Sequence, residues 1–261
     1  MAFALLSSTR YDPFLKNLKW NNDKDGAGSP FLLLHYHIDR LRVAARRHGW
    51  SEAERVLSWH AFRSECHRSI RILLTESGAL TATATPVKPF TSDPTSASFF
   101  KPDTDYHSLF GPPLRIQVDS QPTPSSIFTS TKTTNRAVYD TARTRAGVPP
   151  LSSTDSSIPP DPPPPSDVLL YNSENSITET SIYNVAFYRS NRWLTPPIST
   201  GCLPGVLRRW LLEQGRIYEA DENLLTRESI VEGECVLLVN GVQGCQLGRI
   251  TLQNSPSSGG L

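Results

Sequence analysis

The chain has 261 residues and a formal net charge of +1, a balance that gives no reason to expect nucleic acid or an anionic membrane as partner. Its hydrophobic content of 38%, with 9% aromatics, is enough for one large domain or two modest ones. No apolar run approaches the roughly 20 residues that a membrane-spanning helix needs.

The opening stretch "MAFALLSSTRYDPFLK" has an apolar patch but no basic lead, so it reads as a first strand and not as a signal peptide. In "SPFLLLHYHIDRLRVAARRHGW" the residues Leu34, Ile38, Leu41 and Ala45 recur at helical spacing, and Gly49 ends the pattern. A second helix is expected from Ser51, with Ser51 and Glu54 as a capping box and the period running on through "WHAFRSECHRSI". Arg71 to Leu74, the turn "ESGA" and "LTATATPV" read as a hairpin. A Ser/Thr/Pro-rich loop is expected at about 91–105, followed by strands in "PLRIQVD" and "SSIFTST". A helix should run from Asn135 to Gly147.

Residues 148–166, "VPPLSSTDSSIPPDPPPPS", hold too few apolar groups for a core and too many prolines for regular hydrogen bonding. They read as a flexible insertion of polyproline character. Beyond it, "VLLYNS" and "SITETSIYNVAFYRSNRWLTPP" suggest strands joined by turns. "LPGVLRRWLLEQG" suggests a helix from Pro204 to Gly215, and "ECVLLVNGVQGCQLGRI" two strands around a glycine turn. No fixed-period repeat is present.

The four cysteines, Cys66, Cys202, Cys235 and Cys245, form no CxxC pair, so neither a zinc site nor a disulfide framework is expected and a reduced, cytoplasmic setting fits best. His35 and His37 could share a strand face, but without a matching Cys or carboxylate cluster no metal site is expected.

Four features carry chemistry together. Lys132 stands in "FTSTKTTNRAVYDTAR", a threonine-rich turn ahead of a helix, where a lysine is ordinarily a solvated cation. Glu179 lies on an otherwise uncharged strand, and a half-buried carboxylate needs a partner, most simply an arginine. Gly201 and Gly205 precede a helix whose free N–H groups and positive dipole end suit an anion, though the same start is also an ordinary cap. Arg40, one turn into the first helix, is by default solvated or paired. In combination they have the parts of a pyridoxal phosphate site: an amine to bond the cofactor, a carboxylate for its ring nitrogen, and amides with an arginine for its phosphate.

The same residues carry a family resemblance. "HIDRL", "ITETSIYNVAFYRSNRWLTPP", "TGCLPGVLRRWLLE" and "VLLVNGVQGCQLGRI" resemble motifs of the fold-type IV pyridoxal phosphate enzymes. These comprise the branched-chain and D-amino acid aminotransferases and the 4-amino-4-deoxychorismate lyases. The likeness spans nearly the whole chain outside the Ser/Thr/Pro segments. "KTTNRAVYD" and "LSSTRYDPFLKNLKW" are similar to the fungal lyases.

The resemblance implies an α+β or α/β, two-domain fold like that of D-amino acid aminotransferase. A small domain would occupy residues 1–112 and a larger cofactor-binding domain residues 113–261, interrupted by the insertion at 148–166. It implies a cytoplasmic homodimer and a reaction that releases pyruvate and 4-aminobenzoate for folate synthesis. Lys132 would bond the cofactor and serve as base, and Ser8 would protonate the leaving group. Glu179, Arg40, Gly205, Val206, Leu207 and Asn240 would bind pyridoxal 5'-phosphate, and Arg136 and Gly241 the substrate's carboxylates. Leu207 stands where the family often has threonine, which leaves only its amide for phosphate. The tyrosine that aminotransferases place soon after the lysine has only Ala137 and Tyr139 nearby, so its role is unassigned. A transaminase on the same fold and a non-catalytic protein docking through its proline-rich loop are the alternatives.

Overall fold

The computed structural model describes residues 3–23, 26–57, 71–105, 110–151 and 166–252. Strands β1 (Leu5–Ser8), β2 (Arg71–Leu74) and β3 (Leu80–Thr83) form an antiparallel sheet in that order. Side chains alternate across a strand, so Leu5 points with Ile72 and Leu74 into a core closed by helix α1 (Leu34–Arg47). The helix meets them with Leu34, Ile38, Leu41 and Ala45, the stripe read from the sequence. Burying each such Leu or Ile stabilises by about 1.5–3 kcal/mol, and that gain holds a short sheet to one helix. Gly49, at φ +71°, takes the left-handed turn that ends the helix. His35 and His37 lie on this helix, not on a strand, and His37 is fully buried.

Helix α2 (Ser51–Val56) begins at Ser51 as expected, but Ser51 is its first helical residue and not its cap. Trp50 is its cap residue, with no side-chain cap, and Glu54 pairs with Arg46 instead of closing a box with Ser51. Trp50 is drawn into the core beside α1, which moves the cap onto it. The expected continuation past Leu57 falls at 58–70, outside the described residues.

The second sheet has eight strands: β4 (Leu114–Val118), β5 (Asp167–Tyr171), β6 (Ile177–Thr180), β7 (Asn184–Arg189), β8 (Arg192–Thr195), β9 (Tyr218–Glu219), β10 (Cys235–Asn240) and β11 (Gly244–Thr251). Their order is β6-β5-β4-β11-β10-β7-β8-β9. The pairs β5–β4, β4–β11 and β8–β9 are parallel, and the others antiparallel. β6 is at one edge and β7 is five strand spacings away, roughly 24 Å in a flat sheet. Yet only residues 181–183 join them, a link that reaches at most about 14 Å. The sheet must therefore curl until β6 approaches β7, and that curl makes a hollow lined by the 179–184 segment.

Both faces of this sheet are covered. On β10, Leu237 and Val239 face one core while Val236 and Leu238 face the other. Helix α5 (Val206–Glu213) closes the first with Leu207, Trp210 and Leu211. The 91–105 loop also contributes, through a 3-10 turn at Ser96–Phe99 and the buried Phe100, whose carbonyl accepts from Trp193 Nε1 at 3.0 Å.

The expected strand in "SSIFTST" is instead a single helical turn, α3 (Ile127–Ser130). Ser126 Oγ accepts from the Thr129 amide at 3.2 Å, and Thr129 Oγ1 accepts from the Ser126 amide at 2.9 Å. This reciprocal box satisfies two donors locally and overrides the β-forming composition. Helix α4 (Ala137–Arg145) follows. The expected insertion leaves through Val148, buried beside Tyr139 and Ala142, and Pro149, whose carbonyl accepts from Arg143. Its interior, 152–165, lies outside the described residues.

Candidate active site

The segment carrying Lys132 is tied to β1 as a partner strand. The Leu6 amide donates to Lys132 O at 2.7 Å and the Thr134 amide to Ala4 O at 2.9 Å, with Leu5 opposite Thr133. Alternation then buries Thr131 and Thr133 and turns Lys132 to the side that Leu6 and Ser8 share. That side is the wall of a cavity of about 310 Å³ between the two sheets.

The structure brings nearly all the sequence-derived candidates to this cavity. Lys132, Ser8, Glu179, Arg40, Arg136 and Gly205 line it, as do Val206, Asn240 and Gly241. Leu207 does not, because its side chain packs in the core beneath α5.

Around Lys132 the electrostatics favour a free amine. Loss of water on burial, reinforced by the guanidinium groups of Arg40 and Arg136, lowers its pKa to about 7, against a smaller opposing pull from Glu179. Glu179 moves the other way. Burial raises its carboxyl to about 7, although Tyr139, Lys132, the Leu203 amide and Arg136 each favour the ionised form. Tyr139 donates to Glu179 Oε1 at 2.8 Å. Near pH 7 the cavity thus holds an amine and a carboxyl that can each gain or lose a proton.

At another corner three elements converge. The β10–β11 turn is set by Asn240, whose Oδ1 accepts from the Val242 and Gln243 amides at 2.9 and 2.7 Å. Gly241 packs so tightly that a Cβ there would stand 2.8 Å from Val206 Cγ2 and 2.9 Å from His37 Cε1. Gly205 caps α5, whose first amides have no intrahelical acceptor. Nearby on α1, Arg40 Nη2 donates to Ser7 Oγ at 3.2 Å while its buried Nε has no hydrogen-bond partner among the described residues. His37 Nδ1 lies 2.8 Å from Ser7 Oγ, and His37 Nε2 is likewise unpartnered. Burial and Arg40 keep that imidazole neutral, well below its usual pKa. Unfilled donors, a helix start and close glycine backbone suit a phosphate-sized anion.

Sequence reasoning passed over several wall residues. Asn184 Nδ2 donates to Leu203 O at 2.8 Å and so shapes the approach to α5. Tyr183 contacts Gln243 through its hydroxyl, and both line the cavity, as does Arg71 of β2. The asparagine was visible in "ETSIYN"; the others carry no local pattern.

A sequence model of the family described as amino-transferase class IV matches residues 161–248. A Schizosaccharomyces pombe protein named "Putative aminodeoxychorismate lyase" is 30% identical over 230 residues, covering 85% of each chain. The chain belongs to the class IV aminotransferase family. A Saccharomyces cerevisiae member named "Aminodeoxychorismate lyase" is 36% identical over 140 residues, 52% of this chain and 36% of that one. Among solved structures, 4-amino-4-deoxychorismate lyase from Pseudomonas aeruginosa superposes with a TM-score of 0.59 at 14% identity, covering 96% of this chain and 83% of that one. At that identity the likeness speaks for the fold alone, which is the aminotransferase-like fold the sequence led us to expect.

Proposed function

We propose that this protein is a pyridoxal 5'-phosphate-dependent lyase that converts 4-amino-4-deoxychorismate to 4-aminobenzoate and pyruvate. The observation that carries the reading is the convergence of Lys132, Glu179, Arg40 and the α5 start on one cavity. The fungal relative that matches over 85% of both chains supports the choice of reaction.

The residues present fit the cofactor. Arg40, with its unfilled Nε, and the amides at Val206 and Leu207 suit its phosphate, and the Asn240 turn packs against that helix start through Gly241. Glu179 is the carboxylate for the ring nitrogen and Lys132 the amine that bonds the cofactor. When bound, the cofactor supplies an electron sink adjacent to the substrate's amino carbon.

Once the substrate's amine has taken its place, the freed Lys132 amine, with a pKa near 7, is suited to take the C4 proton of the substrate as general base. The C3–O bond then breaks with its electron pair leaving on the enolpyruvyl oxygen, and the ring becomes aromatic. The Ser8 hydroxyl, on the same wall as Lys132, delivers a proton to that oxygen. Arg136, on the cavity wall, and the Gly241 amide receive the substrate's carboxylates.

The same reading takes the working unit as a cytoplasmic homodimer serving folate synthesis. The unpaired thiols of Cys202, Cys235 and Cys245 are compatible with a reducing compartment. Among the described residues no helix is long and apolar enough to cross a membrane.

A transaminase is the second reading, favoured by the name of the matching family. One experiment separates the two. The protein is loaded with pyridoxal phosphate and given 4-amino-4-deoxychorismate, with 4-aminobenzoate and pyruvate as readouts. In parallel it is given branched-chain or D-amino donors with 2-oxoglutarate, with glutamate as readout. Lyase products that vanish in Lys132→Ala support the proposal, and glutamate formation alone overturns it. A colourless protein that takes up no cofactor would point instead to a non-catalytic role.

A further inference from the structure

One face of α4 grips the strand that carries Glu179. Arg136, Tyr139 and Arg143 are spaced to share that face, and each reaches the β5–β7 region. Arg136 Nη2 donates to Ser181 O at 2.8 Å, and Arg143 Nη1 donates to Ser181 Oγ at 2.8 Å and to Asp167 Oδ1 at 3.2 Å. Tyr139 is buried between them, with its hydroxyl 2.8 Å from Glu179 Oε1. Its other acceptor, Thr129 O, is distant at 3.4 Å, so the phenolic proton belongs to Glu179.

We propose that Tyr139 is a positioning residue for Glu179, whose hydroxyl fixes the carboxylate at the cavity wall and favours its ionised form. The importance of this for catalysis rests on the functional reading above, in which an anionic Glu179 keeps the cofactor's ring nitrogen protonated.

A tyrosine present only to fill space would not need its hydroxyl, and a buried hydroxyl without a partner is costly. Here the partner is a carboxylate taken out of water, and a donor to the charged form stabilises that form. The charged and titratable groups around Glu179 are known. Lys132 and Arg136 favour its ionisation, as does the Leu203 amide. Arg40 is close enough to feel its charge, and Cys202 stays a neutral thiol through burial. Burial and Glu179 itself keep the Tyr139 phenol protonated, well above its usual pKa, so it remains a donor throughout the range where Glu179 titrates. A carboxylate has about four acceptor sites, so Tyr139 and the Leu203 amide leave capacity for a further donor in the cavity.

The test reads Glu179 directly in the full-length, cofactor-free protein. Glutamate side chains are labelled with carbon-13, and the Glu179 carboxyl signal is assigned by its loss in Glu179→Gln and followed against pH. Tyr139→Phe keeps the ring and removes the donor, so the Glu179 midpoint should rise by about one unit or more, a tenfold change in the protonation ratio. Replacing Tyr139 by 3-fluorotyrosine makes the phenol a stronger donor, so the midpoint should fall. Midpoints that stay with the unmodified protein in both variants would overturn the proposal. If Tyr139→Phe does not fold, the fluorotyrosine protein decides alone: a fall supports the assignment and no change sinks it. No substrate or cofactor is present, so a failure of the lyase reading leaves this result interpretable.

Discussion

Gly205 and Asn184 meet so closely that a Cβ on residue 205 would stand 1.9 Å from Asn184 Oδ1. The asparagine cannot easily withdraw, because its Nδ2 donates to Leu203 O at 2.8 Å two residues before the glycine. The start of β7 and the start of α5 are locked together through this contact.

Gly205→Ala should therefore be costly although its backbone, at φ −64° and ψ 144°, is open to any residue. The penalty is steric, on the order of 1–3 kcal/mol for overpacking. It falls on the helix start that we assign to phosphate. We expect a lower Tm and at least tenfold weaker uptake of pyridoxal phosphate, read by absorbance on titration. An alanine variant that binds the cofactor normally would remove the α5 start from the phosphate site.

Lys132 should be reactive at neutral pH. Its rate of modification by an amine-directed reagent, taken as the difference from Lys132→Ala, should rise with a midpoint near 7 and not near the ordinary 10.5. The signs of two variants follow from its neighbours. Arg136→Met removes a cation that disfavours the ammonium, so the midpoint moves up. Glu179→Gln removes an anion that favours it, so the midpoint moves down. A midpoint that ignores both variants would mean that desolvation and Arg40 set the value without them.

The stretches most legible in the sequence were those governed by local pattern. The α1 stripe from Leu34 to Ala45, the stop at Gly49 and the helix after "LPG" all follow from spacing and backbone freedom. Lys132 and Glu179, ordinary when taken alone, could be picked out only together with Arg40 and the helix start at Gly205, and through the motifs the chain shares with the family it resembles. What stayed hidden depends on partners far along the chain. Tyr139 finds Glu179 forty residues away, and His37 finds Ser7 thirty residues away. Neither pairing leaves a periodic trace. In α3 a hydroxyl box decided against the strand that β-branched residues suggested, a competition between a local cap and a weak propensity. At Leu207 the motif found the first turn of the helix, but core packing claimed the side chain.

Asp167 should prove a structural keystone for the same wall. It is fully buried and accepts from Arg143 Nη1 at 3.2 Å, Thr180 Oγ1 at 2.7 Å and the Val168 amide at 2.8 Å. Asp167→Ala leaves the Arg143 guanidinium buried without its carboxylate, a loss of about 3–5 kcal/mol. Asp167→Asn keeps an acceptor and should cost less. Urea unfolding of the two variants checks the order, and equal losses would show that the charge contributes little.

Glu179 should make the cofactor-free protein less stable as pH rises. Its folded pKa of about 7 lies above the ordinary 4.5, so between those values the folded state binds more protons than the unfolded one. Stability then falls with rising pH through that window. The shift corresponds to a cost on the order of 3 kcal/mol once the carboxylate is fully ionised. Lys132 acts in the opposite sense over a different range, because its folded pKa near 7 lies below 10.5 and its contribution to stability rises with pH above 7. Glu179→Gln abolishes the first effect. The variant should match the parent at pH 4.5 and exceed it in Tm by several degrees at pH 8. Scanning calorimetry of both proteins across that range checks the difference, and a gap that does not widen with pH would mean that Glu179 ionises normally in the folded chain.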